Sequence, residues 1–340
     1  MVKKIVYLLL SLALILIASY FLLPVKKGKG ADTKTTYNLV NNWLQLPKGF
    51  ELGNPTGIAI DTNQNIVVFH RAGREWPLLG SMPDKPIQQK TVLIINKDDG
   101  TLVQSWGDNL FIMPHGLTVD KQNNIWLTDV GLQQVFKFTH NGKLLMTLGQ
   151  AMTAGNDSSH FDKPTAVAVA NDGSFYVSDG YGNSRVIKFS PQGKYLFEWG
   201  TKGTKEGEFN IPHSIALDKN GNVFVADREN NRIQMFDADG KFVKQYIDES
   251  FGAITSVAFD PSQTKLFAAD DVTFLKIKHR GSDILIFDTT GRVQKRFGRS
   301  GLYDGPTCWY HDLAIDSNEN IYVGDILGNT IQKFIKIKEQ

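Results

Sequence analysis

Three histidines, His115, His213 and His311, stand 98 residues apart in succession, and each precedes an aspartate by five positions in one local pattern. The pattern runs from Pro114 to Asp120, from Pro212 to Asp218 and from Tyr310 to Asp316, with alternating apolar residues between. Thr56, Thr165 and Thr255 hold the same register between the histidines, so six repeats alternate Thr and His. Neutral imidazole is a good ligand for zinc and related divalent ions, and three histidines with a fourth position open is a catalytic rather than a closed structural arrangement. Histidines on alternate units of a six-unit ring converge on one axis, and packing alone gives no reason for the alternation. The other four offer no such pattern: His140, His160 and His279 read as turn or loop residues, and His70 ends a strand where other repeats carry Asp.

The elements that must position these residues are short strands. After each repeat's Asp come a few turn residues and a strand ending in an acid, as in 124–129 (ending at Asp129), 174–179 (Asp179), 222–227 (Asp227) and 320–325 (Asp325). A third strand follows, then a turn at Asn-Gly, Gln-Gly, Asp-Gly or Thr-Gly, then a fourth. Four strands per unit of roughly 40 to 55 residues, without a 3.6-residue apolar period, predict a six-bladed all-β propeller. The last unit shows only three strands after His311. Residues 39–43 echo 102–106, so the N-terminal segment is expected to supply the missing strand and to remove an exposed edge.

Further polar chemistry is expected near the ends of the second strands. The first unit ends at Arg71 and continues into an insertion, Ala72 to Lys90, with Arg74 and Trp76; the third ends Asp179-Gly180-Tyr181, and the fourth ends Asp227-Arg228. Arginines there either pair with the strand-end acids or face a ligand, where their fork matches a carboxylate. A tyrosine beside a metal and two arginines can serve as a base.

With 37 Lys and Arg against 35 Asp and Glu, the net charge of +2 and the scattered basic residues give no support for nucleic-acid binding. Cys308 is the one cysteine, so no intramolecular disulfide can form, and it reads as a packed thiol. Ile5 to Leu23 is an apolar run flanked by Lys3, Lys4, Lys26 and Lys27, long enough to span hydrocarbon as a helix. Residues 1–30 are therefore expected to be a membrane anchor or signal segment, with the anchor favoured because no small-residue cleavage site ends the run. Residues 31–48 would be the tether and ring-closing strand, and 49–340 a monomeric propeller outside the cytoplasm.

Taken together, Arg71 after Phe69-His70, Trp76, Met113-Pro114-His115-Gly116-Leu117, the stretch from Val177 to Arg185 containing Tyr181, Pro212-His213-Ser214, Ala226-Asp227-Arg228-Glu229-Asn230 and His311-Asp312 give a chain that resembles the peptidyl-α-hydroxyglycine α-amidating lyases, a branch of the NHL-repeat propellers. The resemblance runs from about residue 50 to the C-terminus. It implies a catalytic zinc on His115, His213 and His311, and a substrate site lined by Arg71, Tyr181 and Arg228. It also implies a structural calcium held by the Asp312 carboxylate and the backbone carbonyls of Ile58 and Leu117, which suits a hard cation. The implied reaction splits a small-molecule or peptide carbinolamide bearing a carboxylate into an amide and glyoxylate, and needs no redox cofactor.

Two positions depart from the family's pattern: Gly182 stands where the family has Cys, and Trp309-Tyr310 stands where Met-Pro usually precedes the last histidine. The second is expected to alter the pocket wall. No copper-monooxygenase half is expected in these 340 residues, so another carbinolamide is a candidate substrate. The alternatives are a lactonase-like propeller hydrolase, which would favour acid and amide ligands around calcium, and a non-catalytic NHL module, for which the histidines would be unnecessary.

Overall fold

The computed structural model describes residues 36–77, 81–274, 278–288, 290–298 and 307–337, with the side chains of 272–280 excepted; the apolar run Ile5 to Leu23 lies outside them. Among the described residues no helix is long and apolar enough to cross a membrane. They form six four-stranded antiparallel sheets. The innermost strands are Pro55–Ile60, Pro114–Val119, Pro164–Val169, Pro212–Leu217, Ala253–Phe259 and Tyr310–Ile315, for blades one to six. Each inner strand packs beside the next around the ring, and that of blade six returns to blade one.

Hydrophobic patterning follows position within the blade. The second strands Ile66–His70, Ile125–Asp129, Phe175–Asp179, Val223–Asp227 and Ile321–Asp325 are buried throughout, because blades cover both of their faces. The outer strands Leu144–Leu148 and Tyr195–Trp199 alternate between exposed and half-buried residues. The fold thus spends its largest side chains between blades: Trp126, Tyr176, Tyr322, Phe69 and Phe236 are fully buried.

The N-terminal segment closes blade six as expected, but the strand is Tyr37–Val40 and not 39–43: Trp43 lies beyond its end, whereas Trp106 ends its own strand. Strand Tyr37–Val40 pairs antiparallel with Thr330–Lys336, Tyr37 opposite Lys336 and Val40 opposite Lys333, as the outermost strand of the sheet containing His311. The match extends to a single tryptophan. Trp106, at the outer edge of blade one, lies over Gly142 in the last turn of blade two, so near that a Cβ at Gly142 would stand 2.9 Å from the indole, and its Nε1 donates to the His140 carbonyl. Trp43 does the same one blade earlier: its Nε1 donates to the Lys97 carbonyl, and Gly100 lies against its backbone. The buried indole also meets Tyr322 of blade six at 5.3 Å between ring centroids.

Two expectations need correction. The second hairpin of blade five is longer than its counterparts, Leu266–Phe274 against Lys278–Phe287, so His279 belongs to a strand, paired with Thr273, and not to a loop. Tyr310 does not line a pocket wall. It fills the position taken by Pro114 and Pro212 in other blades, is buried in the core between blades five and six, and donates its hydroxyl to Gln332. Cys308 is buried in the same core, as a packed thiol should be.

Replacing Trp43 by Ala should therefore cost about 3–5 kcal/mol, as for other large buried aromatics. Denaturant unfolding of the two proteins measures this; a loss below about 1 kcal/mol would show that the ring closes without the indole.

Candidate metal and active site

Each inner strand carries a register irregularity at the same place, between Pro114 and Leu117, Pro212 and Ser214, and Tyr310 and Asp312, and likewise at Thr56, Thr165 and Thr255. A bulge leaves one residue unpaired and re-aims its side chain. The alternating Thr and His of the sequence all lie in these irregularities, with Gly116 unpaired beside His115, and the imidazoles of His115, His213 and His311 gather with ring centroids 4.7–4.8 Å apart. One ligand atom from each lies within 4.8 Å of the others, and all three side chains are buried.

Their tautomer is set by the backbone. Nδ1 of His115 lies 2.7 Å from the Thr165 carbonyl, Nδ1 of His213 is 2.6 Å from the Thr255 carbonyl, and Nδ1 of His311 is 2.7 Å from the Thr56 carbonyl. A carbonyl only accepts, so every Nδ1 carries the proton and every Nε2 presents a lone pair. Burial first, then neighbouring charge from Arg71 and Arg228, pushes His115 down to about 3; His213 and His311 are held well below their ordinary range chiefly by burial. The result is three neutral imidazoles with convergent lone pairs. Such a donor set fits a divalent transition metal, and the fixed Nδ1–H bonds are the outer contacts that orient ligating histidines.

What locks the approach to each inner strand is the acid ending the second strand. Asp129 accepts from the backbone N–H groups of Ile112 and Met113, Asp179 from that of Asp162, Asp227 from that of Asn210 and Asp325 from that of Trp309. In blade one His70 takes the part: its Nδ1 accepts from the N–H groups of Gly53 and Ala72, while Nε2 donates to the Lys90 carbonyl. Its tautomer is the reverse of the axial three.

The arginines divide into two kinds. Arg185 and Arg232 pair with Asp179 and Asp227 and staple nearby carbonyls, and Arg74 bonds the carbonyls of Lys85 and Ile112 within the insertion. Arg71 and Arg228 instead turn to the axis. Arg228 Nη1 lies 3.3 Å from the Tyr181 hydroxyl, and that hydroxyl is 2.9 Å from Nε2 of His213 and 3.2 Å from Nε2 of His115. Arg71 is buried, its Nε donates to the Pro114 carbonyl, and burial lowers it to about 10. Trp76 lies between the pieces, 4.8 Å from the Tyr181 ring and 5.3 Å from the Arg71 guanidinium. A Cβ at Gly182 would stand 1.9 Å from the Asp162 carboxyl carbon, so a larger residue there displaces that side chain.

Beyond the histidines a cavity of about 340 Å³ follows the axis, and Ile58, Leu117 and Asp312 are on its wall. The Asp312 carboxylate is buried, accepts from Ser256 Oγ at 2.6 Å and from the Ile58 N–H at 2.9 Å, and burial raises it to about 7. No ion pair to it occurs among the described residues. The bulges, the Trp76 stack and the hydrogen bond from Arg71 to Pro114 were not read from the sequence. Only the regular Thr positions hinted at the first.

A six-bladed propeller with three buried histidines around its axis, flanked by tyrosine and two arginines, is the kind of protein these features define. The NHL repeat model matches residues 111–138, 161–189 and 209–236, the body of blades two to four. The chain is 37% identical to the mouse peptidyl-glycine alpha-amidating monooxygenase over 87% of its own length and 32% of that protein's. It is 33% identical to peptidyl-alpha-hydroxyglycine alpha-amidating lyase 1 of Drosophila melanogaster, over 92% of this chain and 62% of the relative, and 32% identical to human NHL repeat-containing protein 3, over 89% and 85%. The chain thus spans about a third of the mouse protein and under two thirds of the fly lyase. Among solved structures a streptogramin B lyase superposes with a TM-score of 0.58 at 13% identity, covering 88% of this chain and 97% of that one, a likeness of fold alone. The chain belongs to the family of NHL-repeat propellers that includes the peptidyl-α-hydroxyglycine α-amidating lyases.

Burial holds the His70 imidazole neutral down to about 4, against an ordinary 6.5. The unfolded chain takes up that proton first, so the stability is fully present above 6.5 and is lost as pH falls toward about 4. His70→Asn, which keeps an acceptor for the two N–H groups, should flatten the fall in denaturant midpoint across this window; equal slopes for the two proteins would place the titration elsewhere.

Proposed function

We propose that the chain is a zinc-dependent carbon–nitrogen lyase that splits a peptidyl-α-hydroxyglycine, or a related carbinolamide carrying a carboxylate, into an amide and glyoxylate. The observation that carries this reading is the Tyr181 hydroxyl, set against Nε2 of two convergent neutral histidines and backed by Arg228. The lyase relatives support it. When bound at His115, His213 and His311, zinc supplies Lewis acidity toward the substrate's α-hydroxyl.

The protein's own groups do the rest. Tyr181 takes the hydroxyl proton, with the Arg228 guanidinium beside the phenolic oxygen to stabilise the charge that develops there. The hydroxyl oxygen then forms the carbonyl of glyoxylate, the C–N bond breaks, and nitrogen leaves with the electron pair and is protonated to the amide. Arg71 and Arg228 bring two guanidinium groups beside the histidines, and although Glu229 lies 3.6 Å from Arg228 Nε the balance there is positive, which suits an anionic substrate. Trp76 covers the tyrosine ring and excludes water from that side. A lactonase of the kind built on acid and amide ligands fits these three imidazoles poorly.

Asp312 is proposed to hold a structural calcium with the carbonyls of Ile58 and Leu117. A buried carboxylate without a cationic partner is costly, and an oxygen-coordinated cation would offset that cost. The apolar run Ile5 to Leu23, with its flanking lysines, is proposed to anchor the propeller outside the cytoplasm.

The test is glyoxylate release from N-acyl-α-hydroxyglycines by metal-loaded protein. Tyr181→Phe should lower kcat by about 10²-fold or more, and Arg71→Lys, which keeps the charge but loses the fork, should impair turnover as well. Absence of glyoxylate from several such compounds would end the lyase reading, while full activity in Tyr181→Phe would remove only the base assignment. Separately, His213→Ala should leave a folded ring with much weaker zinc binding by chelator competition. Full occupancy in that variant would put the metal elsewhere.

A further inference from the structure

The threonines alternating with the histidines use both of their polar ends. The Thr165 carbonyl accepts from His115 Nδ1, and the Thr165 hydroxyl lies 2.7 Å from the carbonyl of Pro212, the residue before His213, as well as 2.7 Å from Ser178 Oγ and 3.0 Å from the Ser178 carbonyl. Next around the ring, the Thr255 carbonyl accepts from His213 Nδ1, and its hydroxyl donates at 2.8 Å to the carbonyl of Tyr310, the residue before His311. The Thr56 carbonyl accepts from His311 Nδ1, but there the pattern breaks. The Thr56 hydroxyl reaches only the Phe69 carbonyl, at 3.4 Å, and the carbonyl before His115, that of Pro114, is taken by Arg71 Nε at 2.9 Å.

We propose that Thr165, Thr255 and Arg71 are positioning residues, each fixing the peptide on which an axial imidazole is carried, with the two threonines linking the histidines in one hydrogen-bonded series that is open between Thr56 and His115. Thr165 and Thr255 do so for His213 and His311, and Arg71 replaces the third threonine for His115. The inference rests on the reading of the histidines as metal ligands and extends it to Thr165 and Thr255, which touch neither metal nor substrate, and to the Nε of Arg71. Its physical basis is that the Pro212 and Tyr310 carbonyls belong to the peptide groups that lead into the bulged histidines, where the ladder register breaks, so a side-chain donor there fixes the orientation of the peptide that carries each imidazole. Two consequences follow for this chain. Arg71 commits its Nε to the Pro114 carbonyl, leaving its remaining N–H groups for a ligand. Thr56, chemically identical to the other two, is the one whose hydroxyl is dispensable.

The experiment measures the affinity of the full chain for Co2+ by chelator competition and by the d–d absorption of the bound ion. Thr165→Val and Thr255→Val preserve shape and branching while deleting the donor, and each should weaken binding about 10–100-fold, in line with other losses of outer contacts to ligating histidines. Thr165→Ser and Thr255→Ser should restore it, which a loss of packing alone would not predict. Thr56→Val should weaken it less than about threefold, because its hydroxyl supports no histidine. Wild-type binding and spectrum retained in Thr165→Val and Thr255→Val, or equal losses in all three valine variants, would overturn the proposal. If the wild-type chain takes up no Co2+, the metal reading falls and this inference falls with it, so the two failures are told apart by the wild-type measurement.

Discussion

The bond from each axial Nδ1 to a threonine carbonyl of the next blade is the constraint on which the site depends. It fixes the tautomer, and it fixes which edge of the ring faces the axis. It also makes the histidines a property of the whole ring rather than of single blades, since each is oriented by a neighbour's backbone. The bulges supply the other half of the condition. An unbroken ladder would send these side chains to the faces of the sheets, where the interblade core lies, and the axis would be left to small residues.

Charge is arranged around that neutral centre with the same economy. Three imidazoles held by their own burial in the neutral form let two guanidinium groups stand close by, Arg228 with the Glu229 carboxylate 3.6 Å from its Nε. Acids are plentiful at this end of the ring, but Asp129, Asp179, Asp227 and Asp325 are committed to backbone N–H groups or to the stapling arginines. The only carboxylate beside an axial histidine in sequence, that of Asp312, faces the cavity and is bound to Ser256 and Ile58.

Much of this was legible in the sequence because repetition makes chemistry visible. A histidine in the same column of every second repeat stands out from one that caps a turn, and the strand-end acids mark the blades. His70 was readable as an outlier, although its part as an acceptor for two N–H groups needed coordinates. Spacing alone does not separate Arg228 from Arg232, or Arg71 from Arg74, because residues only a few positions apart point to different places at a strand end; only the family resemblance singles out Arg71 and Arg228. Tyr310 was assigned to a wall for lack of the register that places it in the core. Long-range contacts such as Arg71 with Pro114 depend on that register and leave no local signal.

Closure by Tyr37–Val40 on Thr330–Lys336 has a consequence in time as well as in space. The first strand of the ring emerges during synthesis well before its partner, and the loop joining them is nearly the whole propeller, so their pairing is among the most non-local steps the chain makes. His311 finds its acceptor, Thr56, across the same seam. The ring of three histidines can therefore be completed only late in synthesis, and until then strand Tyr37–Val40 has no partner and the inner strand of blade one lacks its neighbour from blade six. A nascent ring that pairs such an edge with another molecule would be trapped before the three imidazoles converge.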